Sequence, residues 1–417
     1  MNRLLKKILH LPHLWFSAVS RHMVSPRFTL FWGEPLFFLL GKRGAGGETG
    51  LPQRILVVFL APLGDTVMFT PFLRELRRSL PHSRITLIVV SDLLPLLKAC
   101  PYVDEAIGFP VFEGLFFEFS RHMAQIGFSM RCLWGRNFDW AINPWWTEDF
   151  HRASCLVYLS GAVRRTGYAE ETSALKKQHD RGQDLFFTER VRDPECLFKH
   201  EVEKALFLLA QAGIPAADKR LEVWSGPLED KVAAGLLELK GPASLRARVV
   251  ALGIGSKLPK RTWPVERYRE VAAWLVGNGF RVVVLGSEEE YGLGQELASA
   301  LSPGAVNLAG RLTLPQVVAV LKRCSLFIGN DSGPMHLAAA AGLPVIEISC
   351  HPRDGEPWHY NSPLRYGPLT DPRIILQPPS GAPPCRRACE VKQEAHCILQ
   401  VGVGQVKEAA RKLLGTA

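Results

Sequence analysis

The sequence has no uninterrupted apolar run of the roughly 18 residues that a membrane-spanning helix requires. It also lacks a signal-peptide pattern, because polar residues interrupt the apolar stretch near the N-terminus and no small-residue cleavage site follows. Six of its nine cysteines stand apart without a spacing pattern, which favours a reducing compartment over a disulfide framework. A membrane-embedded chain and a disulfide-stapled secreted domain are therefore excluded.

The chain is long and has an ordinary globular composition. Its 417 residues exceed a single hydrophobic core and predict two large domains. Hydrophobic residues at 47% and charged residues at 22% exclude a disordered, collagen-like or coiled-coil chain. The formal net charge of +10 indicates an anionic partner, which is a nucleic acid, an acidic membrane surface or a phosphorylated small molecule.

Half of this excess charge lies in the N-terminal extension, Met1–Gly50. Seven basic residues against two acidic ones give it a net charge of +5, and large apolar residues are interleaved with the bases. Two interpretations stay open: a segment that lies in the membrane interface, and a helix that packs on the main body. Because the charge is concentrated at one end and no RNA- or DNA-binding motif is present, we expect no nucleic-acid partner.

Two successive arrays of strands and helices follow the extension. Apolar runs at 55–60 and 85–90 alternate with helical periodicity, and the pattern restarts near Val249. Continuous apolar strands separated by helices predict parallel sheets covered on both faces. We therefore expect an α/β protein with two Rossmann-like domains, 51–235 and 236–417, whose parallel sheets face each other across a cleft.

The loop Gly329–His336 has the sequence Gly-Asn-Asp-Ser-Gly-Pro-Met-His and lies between a predicted strand and a helix. Asp331 or Ser332 can cap this helix, and Gly333 lets the backbone come close to a ligand. Free N–H groups at the positive end of a helix suit a pyrophosphate. His336 adds a hydrogen-bond donor, or a positive charge when protonated. An ordinary capped turn is the alternative.

A basic loop follows the first strand of the second domain. It contains Ser256 and three cations, Lys257, Lys260 and Arg261, ahead of a predicted helix. These cations can neutralise a diphosphate without a metal ion. A solvated basic loop is the alternative interpretation.

Acidic residues occupy the next strand end, at Glu288–Glu290. A carboxylate there can accept a hydrogen bond from a ribose hydroxyl. Glutamate is also common in the first turn of a helix, so a purely local role stays open.

In the N-terminal half, Gly64 and Asp65 lie between the first strand and a helix. A carboxylate at this edge of the sheet can act as the general base for a sugar hydroxyl that attacks from the opposite side of the cleft. Asp65 can instead be only the helix N-cap. The spacing does not decide between these roles.

Cysteine and histidine cluster near the C-terminus, at Cys385, Cys389, His396 and Cys397. Such residues can bind zinc or iron, with His396 or the remote Cys350 completing the set. The spacing C-x3-C-x6-H-C is not that of a recognised finger, so a loop of reduced or loosely paired cysteines is favoured over a metal site.

These loops closely resemble the bacterial heptosyltransferase family, glycosyltransferase family 9, which has the GT-B fold. The resemblance covers the chain from about Arg54 to the C-terminus, and the Gly329–His336 loop in its strand-to-helix context is the most specific part. The matching stretches are Ile55–Val58, Leu63–Asp65, Thr70–Pro71, Leu73–Arg74, Arg164–Tyr168, Lys260–Pro264, Leu308–Arg311 with Leu314, and Gly329–Ala339.

The resemblance implies an inverting enzyme that transfers a heptose from ADP-heptose to the lipopolysaccharide inner core without a metal or other cofactor. It implies that Asp65 is the general base, that Lys260 or Arg261 engages the donor phosphates, and that a glutamate of Glu288–Glu290 binds the nucleotide sugar. The donor-binding candidates are Gly64, Ser256, Lys260, Arg261, Glu288, Asp331, Ser332, Gly333 and His336.

The chain departs from the family pattern at Phe59–Pro62, where members usually carry basic or hydroxyl residues. Two alternatives follow: a nucleotide-sugar-binding protein without transferase activity, and a family 9 transferase with another donor sugar. The expected partners are a nucleotide-sugar donor and a lipid-linked anionic glycan. We expect a cytoplasmic protein at the inner face of the inner membrane, held there by residues 1–50.

Overall fold

Two six-stranded parallel sheets form the frame of the protein, in a computed structural model that describes residues 25–39, 50–110, 117–193, 199–237 and 249–415. The first sheet comprises β1 (Arg54–Phe59), β2 (Arg84–Val90), β3 (Glu105–Phe109), β4 (Trp140–Asn143), β5 (Arg164–Tyr168) and β6 (Glu189–Val191). The second comprises β7 (Val249–Gly253), β8 (Arg281–Leu285), β9 (Ala305–Asn307), β10 (Leu326–Asn330), β11 (Val345–Ile348) and β12 (Arg373–Leu376).

The two sheets share one topology. Their spatial orders are β3-β2-β1-β4-β5-β6 and β12-β11-β10-β7-β8-β9, so in each sheet the first strand lies between the second and the fourth. The strand pairs are parallel throughout, and the central strands are buried on both faces. This is the doubly wound order of Rossmann-like domains, and it confirms the predicted two-domain α/β fold.

Helices cover the faces of the sheets. In chain order they are α1 (Pro26–Leu39), α2 (Leu63–Met68), α3 (Thr70–Ser79), α4 (Leu94–Leu97), α5 (Phe117–Cys132), α6 (Ala153–Leu159), α7 (Ala174–His179), α8 (Glu201–Gln211), α9 (Pro227–Leu236), α10 (Val265–Gly277), α11 (Tyr291–Ala300), α12 (Leu314–Leu321), α13 (Gly333–Ala340), α14 (Pro363–Tyr366) and α15 (Val403–Leu414). None of the helices in the described part of the chain has the length and apolar character needed to span a bilayer.

Helix α1, which lies within the N-terminal extension, packs on the first domain. Phe37 of α1 is fully buried, and its ring meets Tyr158 and Trp134 edge-on at centroid distances of 5.7 and 6.0 Å. Of the two interpretations left open, packing on the main body therefore applies to α1. The bases of Met1–Gly50 at positions 3–21 and 42–43 lie outside the described residues.

Helix α9 belongs by its packing to the second domain. Ala233 and Leu237 share a core cluster with Val249 of β7, and Asp230 forms an ion pair of 3.1 Å with Arg323, which follows α12. Residue 235, where the boundary between the domains is expected, lies inside this helix, which packs against α12 of the second domain.

Candidate active site

The site lies where the two topological switch points face each other. In each sheet the chain leaves the central pair of strands, β1/β4 or β7/β10, in opposite directions, which opens a crevice at the carboxyl ends of those strands. Asp65 lies in α2, which begins just after β1, and Trp145–Trp146 lie in the loop after β4. The loops after β7 and β10 carry Ser256 and Asp331–Gly333.

Two glycines allow these loops to touch. A Cβ atom on Gly64 would lie 2.7 Å from Cδ2 of His336, and one on Gly333 would lie 2.6 Å from Cδ2 of Leu63. Both distances are shorter than real Cβ contacts, so a larger residue at either position would force the facing side chain of the other domain to move. The sequence motif around each glycine thus serves the approach of the opposite domain.

Asp65 is the third residue of α2, whose N-cap is Pro62, so the N-cap interpretation of Asp65 does not hold. Its half-buried side chain lines a small, partly open pocket in the wall of the first domain. The other lining residues are Phe59, Met68, Phe69, Pro144, Trp145, Trp146, Glu201 and Ala205.

The surroundings of Asp65 favour its protonated form. Burial acts most strongly, followed by the negative charges of Glu201 and Asp331, and together they raise the pKa of Asp65 to about 7. The guanidinium groups of Arg261 and Arg365 oppose this rise. A carboxyl group with a pKa near neutrality can take up and release a proton under physiological conditions.

Glu201, at the start of α8, connects the two domains beside this pocket. Its Oε1 accepts hydrogen bonds from Nζ of Lys204 at 2.8 Å and from Nε of Arg365 at 2.9 Å. Its Oε2 accepts from the indole of Trp146. Arg365 belongs to the second domain, so this buried ion pair crosses the cleft, as does the 3.0 Å contact between Nε2 of His200 and the carbonyl of Gly367.

Arg261 and Lys260 have different surroundings although they are adjacent. Arg261 forms an ion pair of 3.1 Å with Asp331 and donates to Oδ1 of Asn361, and its charge reaches Asp65. Lys260 is only 1% exposed, and its Nζ donates to the hydroxyl of Tyr360 at 2.7 Å and to the carbonyl of Cys389 at 2.8 Å. The structure therefore places Arg261 in the cleft and engages Lys260 with the C-terminal segment.

Asn330 links the loops that follow β7 and β10 at the second switch point. Its Nδ2 donates to the carbonyls of Ile254 and Gly255, and its Oδ1 accepts from the backbone of Trp263. Ser332 is the N-cap of α13, but its hydroxyl donates back to the carbonyl of Asn330 instead of capping the helix. Asp331 does not cap it either, because its carboxylate faces Arg261.

His336 lies buried at the contact between the domains. Burial, with smaller contributions from His200 and Arg261, lowers the pKa of His336 to about 3. The ring is therefore neutral near pH 7, and the alternative of a positively charged His336 does not hold. Within the described residues, its Nδ1 has no hydrogen-bond partner.

The glutamates after β8 point in different directions. Glu288 is exposed, whereas the Glu290 carboxylate folds back to accept from the backbone and the hydroxyl of Ser287. A Cβ atom on Gly255 would lie 2.3 Å from Cδ of Glu290, so this carboxylate covers the loop that leads to Ser256. Among the three glutamates, Glu290 thus lies against the β7 loop.

The C-terminal cluster lies against the loop that carries Lys260. One ligand atom from each of Cys385, Cys389, His396 and Cys397 lies within 4.8 Å of all the others. Three of these residues are buried, although the spacing in the sequence matched no known finger.

Sequence reasoning missed the residues that surround Asp65. Trp145 and Trp146 follow β4, and only knowledge of the strand order shows that β4 lies next to β1. Glu201 and Arg365 are 164 positions apart, and the sequence contains no signal for their pairing. Asn330 is part of the conspicuous loop, yet its role depends on the approach of β7.

Comparison with known proteins shows to which family this chain belongs. Residues 129–393, which are 265 of 417, match glycosyltransferase family 9 (heptosyltransferase). The chain is 27% identical over 309 residues to lipopolysaccharide heptosyltransferase 2 of Escherichia coli K12, an alignment that covers 71% of this chain and 82% of that protein.

Solved structures share the fold. The glycosyl transferase family 9 protein of Veillonella parvula DSM 2008 superposes with a TM-score of 0.68 at 22% identity, over 88% of this chain and 99% of that one. For the E. coli ADP-heptose lps heptosyltransferase II the TM-score is 0.63 at 21% identity, over 87% and 98% of the two chains. The family match and the shared fold confirm the resemblance read from the loops: the chain belongs to glycosyltransferase family 9, the heptosyltransferase family.

Proposed function

We propose that this protein transfers a heptose from ADP-heptose to a lipopolysaccharide core or a related glycan, with inversion, and that Asp65 is the general base. The observation that carries the proposal is the position of Asp65. Its carboxyl group, with a pKa of about 7, lies in a pocket on one side of the cleft, and Arg261, Asp331 and His336 lie on the other. Heptosyltransferase relatives in the same family support the donor and acceptor class.

In the proposed reaction Asp65 removes the proton of the attacking acceptor hydroxyl. The hydroxyl oxygen bonds to the anomeric carbon of the donor while the bond from that carbon to the ADP oxygen breaks on the opposite face. The transition state is oxocarbenium-like, as in inverting hydrolases, and a single displacement inverts the configuration. Because Asp65 must be ionised to accept the proton, the reaction slows as the pH falls through about 7.

The departing ADP develops negative charge on the side of the second domain. Arg261 is the cation placed there, and the N-terminal N–H groups of α13 add positive potential. The unpartnered Nδ1 of His336 is a polar atom that a donor oxygen can satisfy. With this charge in place, we propose that the transfer step needs no metal ion in the cleft.

The acceptor sugar lies, in this proposal, over the mouth of the aromatic pocket of the first domain. The ring of Phe59 stacks on Phe69 at 4.0 Å between centroids and meets Trp145 edge-on at 5.5 Å. Flat apolar walls with a few polar groups suit the faces of a sugar ring and orient its hydroxyl groups. We therefore assign Phe59, which lies in the stretch where this chain departs from the family pattern, to the acceptor site.

A donor and acceptor screen tests the proposed activity. Purified protein is incubated with a de-heptosylated core oligosaccharide and, in separate reactions, ADP-heptose, ADP-glucose and UDP-glucose, and the products are analysed by mass spectrometry and NMR. We expect a heptosylated product of inverted configuration from ADP-heptose alone. Binding of ADP-heptose without turnover would establish the non-catalytic alternative. Turnover of another donor would show that the enzyme uses a different donor sugar.

We further propose that the basic N-terminal extension holds the protein at the cytoplasmic face of the inner membrane. Because α1 is part of the packed core, the test removes only residues 1–24. The shortened protein should remain active on a soluble acceptor and lose sedimentation with vesicles that contain phosphatidylglycerol. Undiminished binding to these vesicles would contradict this role.

A further inference from the structure

The C-terminal cluster has the geometry of a metal site. Sγ of Cys385 and Sγ of Cys397 each lie 3.5 Å from Nδ1 of His396. In a tetrahedral site with Zn–S bonds of about 2.3 Å and Zn–N bonds of about 2.0 Å, sulfur and nitrogen ligands lie about 3.5 Å apart. The third sulfur, from Cys389, lies within 4.8 Å of the other ligand atoms. Three thiols and one imidazole thus lie close enough together to share one ion.

The histidine is oriented as a ligand. Its Nε2 lies 3.1 Å from the carbonyl of Pro383, which can only accept, so Nε2 carries the proton and Nδ1 presents its lone pair to the sulfurs. A metal-bound histidine is commonly held in this way by a backbone carbonyl. One lone pair can accept one strong S–H bond, yet two sulfurs approach it at equal distance, an arrangement that a shared cation explains.

The surroundings also suit thiolate ligands. The backbone N–H of Glu390 donates to Sγ of Cys385 at 3.2 Å, and the ammonium group of Lys260 lies 2.8 Å from the carbonyl of Cys389. Three thiolates, a neutral imidazole and a divalent ion carry a net charge of −1, which the nearby ammonium offsets. All three cysteines are buried and free, so none is held in a disulfide.

We propose that Cys385, Cys389, His396 and Cys397 bind one thiolate-preferring metal ion, zinc or iron, and that this ion fixes the loop that carries Lys260 and Arg261. The link is direct. Lys260 is anchored on the carbonyl of a metal ligand, and the indole of Trp263 donates at 2.9 Å to Val401, just after the cluster.

Metal content is the primary test, and it does not depend on the proposed function. Protein purified without oxygen or chelator is analysed for zinc and iron by mass spectrometry, and we expect about one ion per chain. The double variant Cys385→Ser/Cys397→Ser should lose it. His396→Cys, which keeps four ligands, and Cys324→Ser, a cysteine elsewhere in the second domain, should retain it. Absence of metal from the wild type, or retention by the double variant, would overturn the proposal.

Cobalt(II) provides a second readout in case the double variant fails to fold. Wild-type protein stripped of metal and loaded with Co²⁺ should show the intense visible bands of tetrahedral thiolate coordination. A protein that stays colourless on addition of Co²⁺ under reducing conditions would overturn the site.

The effect on donor binding rests on the proposed function and is measured separately. Loss of the ion should raise KM for ADP-heptose about tenfold with little change in kcat, because it loosens the phosphate-binding loop and leaves Asp65 in place. If metal is bound but KM does not change on its removal, the ion does not fix this loop. If no ADP-heptose turnover occurs at all while metal is bound, the proposed function fails and the metal site stands.

Discussion

Replacing Glu201 by glutamine should move the acidic limb of the pH–rate profile to lower pH. The negative charge of Glu201 is the largest electrostatic contribution to the raised pKa of Asp65. Glutamine removes this charge and leaves Arg365 without its carboxylate partner, and both changes favour ionised Asp65.

The size of the shift follows from charges that line one half-buried pocket. Neighbouring charges at such sites move a pKa by about one unit or more, which is about 1.4 kcal/mol. If the pKa of Asp65 falls from about 7 to about 6, the ionised fraction at pH 6 rises from about one-tenth to about one-half. Relative to its own plateau, kcat/KM at pH 6 should therefore increase about fivefold.

The assay is a profile of kcat/KM from pH 5 to 9 by ADP release. Glu203→Gln is the matched control, since Glu203 lies on the same helix but pairs with Lys219. We expect its limb to coincide with that of the wild type. An unshifted limb in Glu201→Gln, with only the plateau changed, would refute the assignment of this limb to Asp65 under the influence of Glu201.

Three further substitutions probe the contact between the domains and the donor side. Gly64→Ala places a Cβ atom 2.7 Å from His336, so kcat should fall about 10- to 100-fold at unchanged melting temperature; activity within twofold of wild type would show that the domains absorb the methyl group. Arg261→Ala should weaken ADP binding about 10- to 100-fold in calorimetry, whereas the exposed Lys257→Ala should not, and equal effects would argue for a diffuse basic loop. His336→Ala should weaken ADP binding about tenfold, and unchanged affinity would remove it from the donor pocket.

Much of the fold could be predicted because its central strands are continuous apolar runs. β1, β2, β7 and β8 are buried on both faces and stand out from the helices that follow them. β5 could not be recognised, since it begins with two arginines. In the structure Arg165 is buried, and its guanidinium donates to the carbonyls of Phe186 and Ala162. These hydrogen bonds compensate for the burial of the charge, and they form only in the folded chain.

The same distinction applies to the candidate site: motifs that are local in the sequence could be identified, and contacts between distant residues could not. Asp65 and the Gly329–His336 loop could be identified because each lies in a short motif between a strand and a helix. The different contacts of Lys260 and Arg261 could not be predicted, since they depend on Cys389 and Asp331, which lie in distant parts of the chain. The neutral state of the His336 ring could not be predicted either, since it follows from burial at the contact between the domains.

Asp65→Asn tests the central claim most directly. Asparagine preserves the shape of the side chain but cannot accept the proton, so kcat for transfer from ADP-heptose should fall by a factor of about 100 or more. Donor binding and melting temperature should stay close to wild type, because Asp65 has no structural capping role. The residual activity should also lose its acidic limb near pH 7. Turnover close to that of the wild type would remove Asp65 from the role of general base.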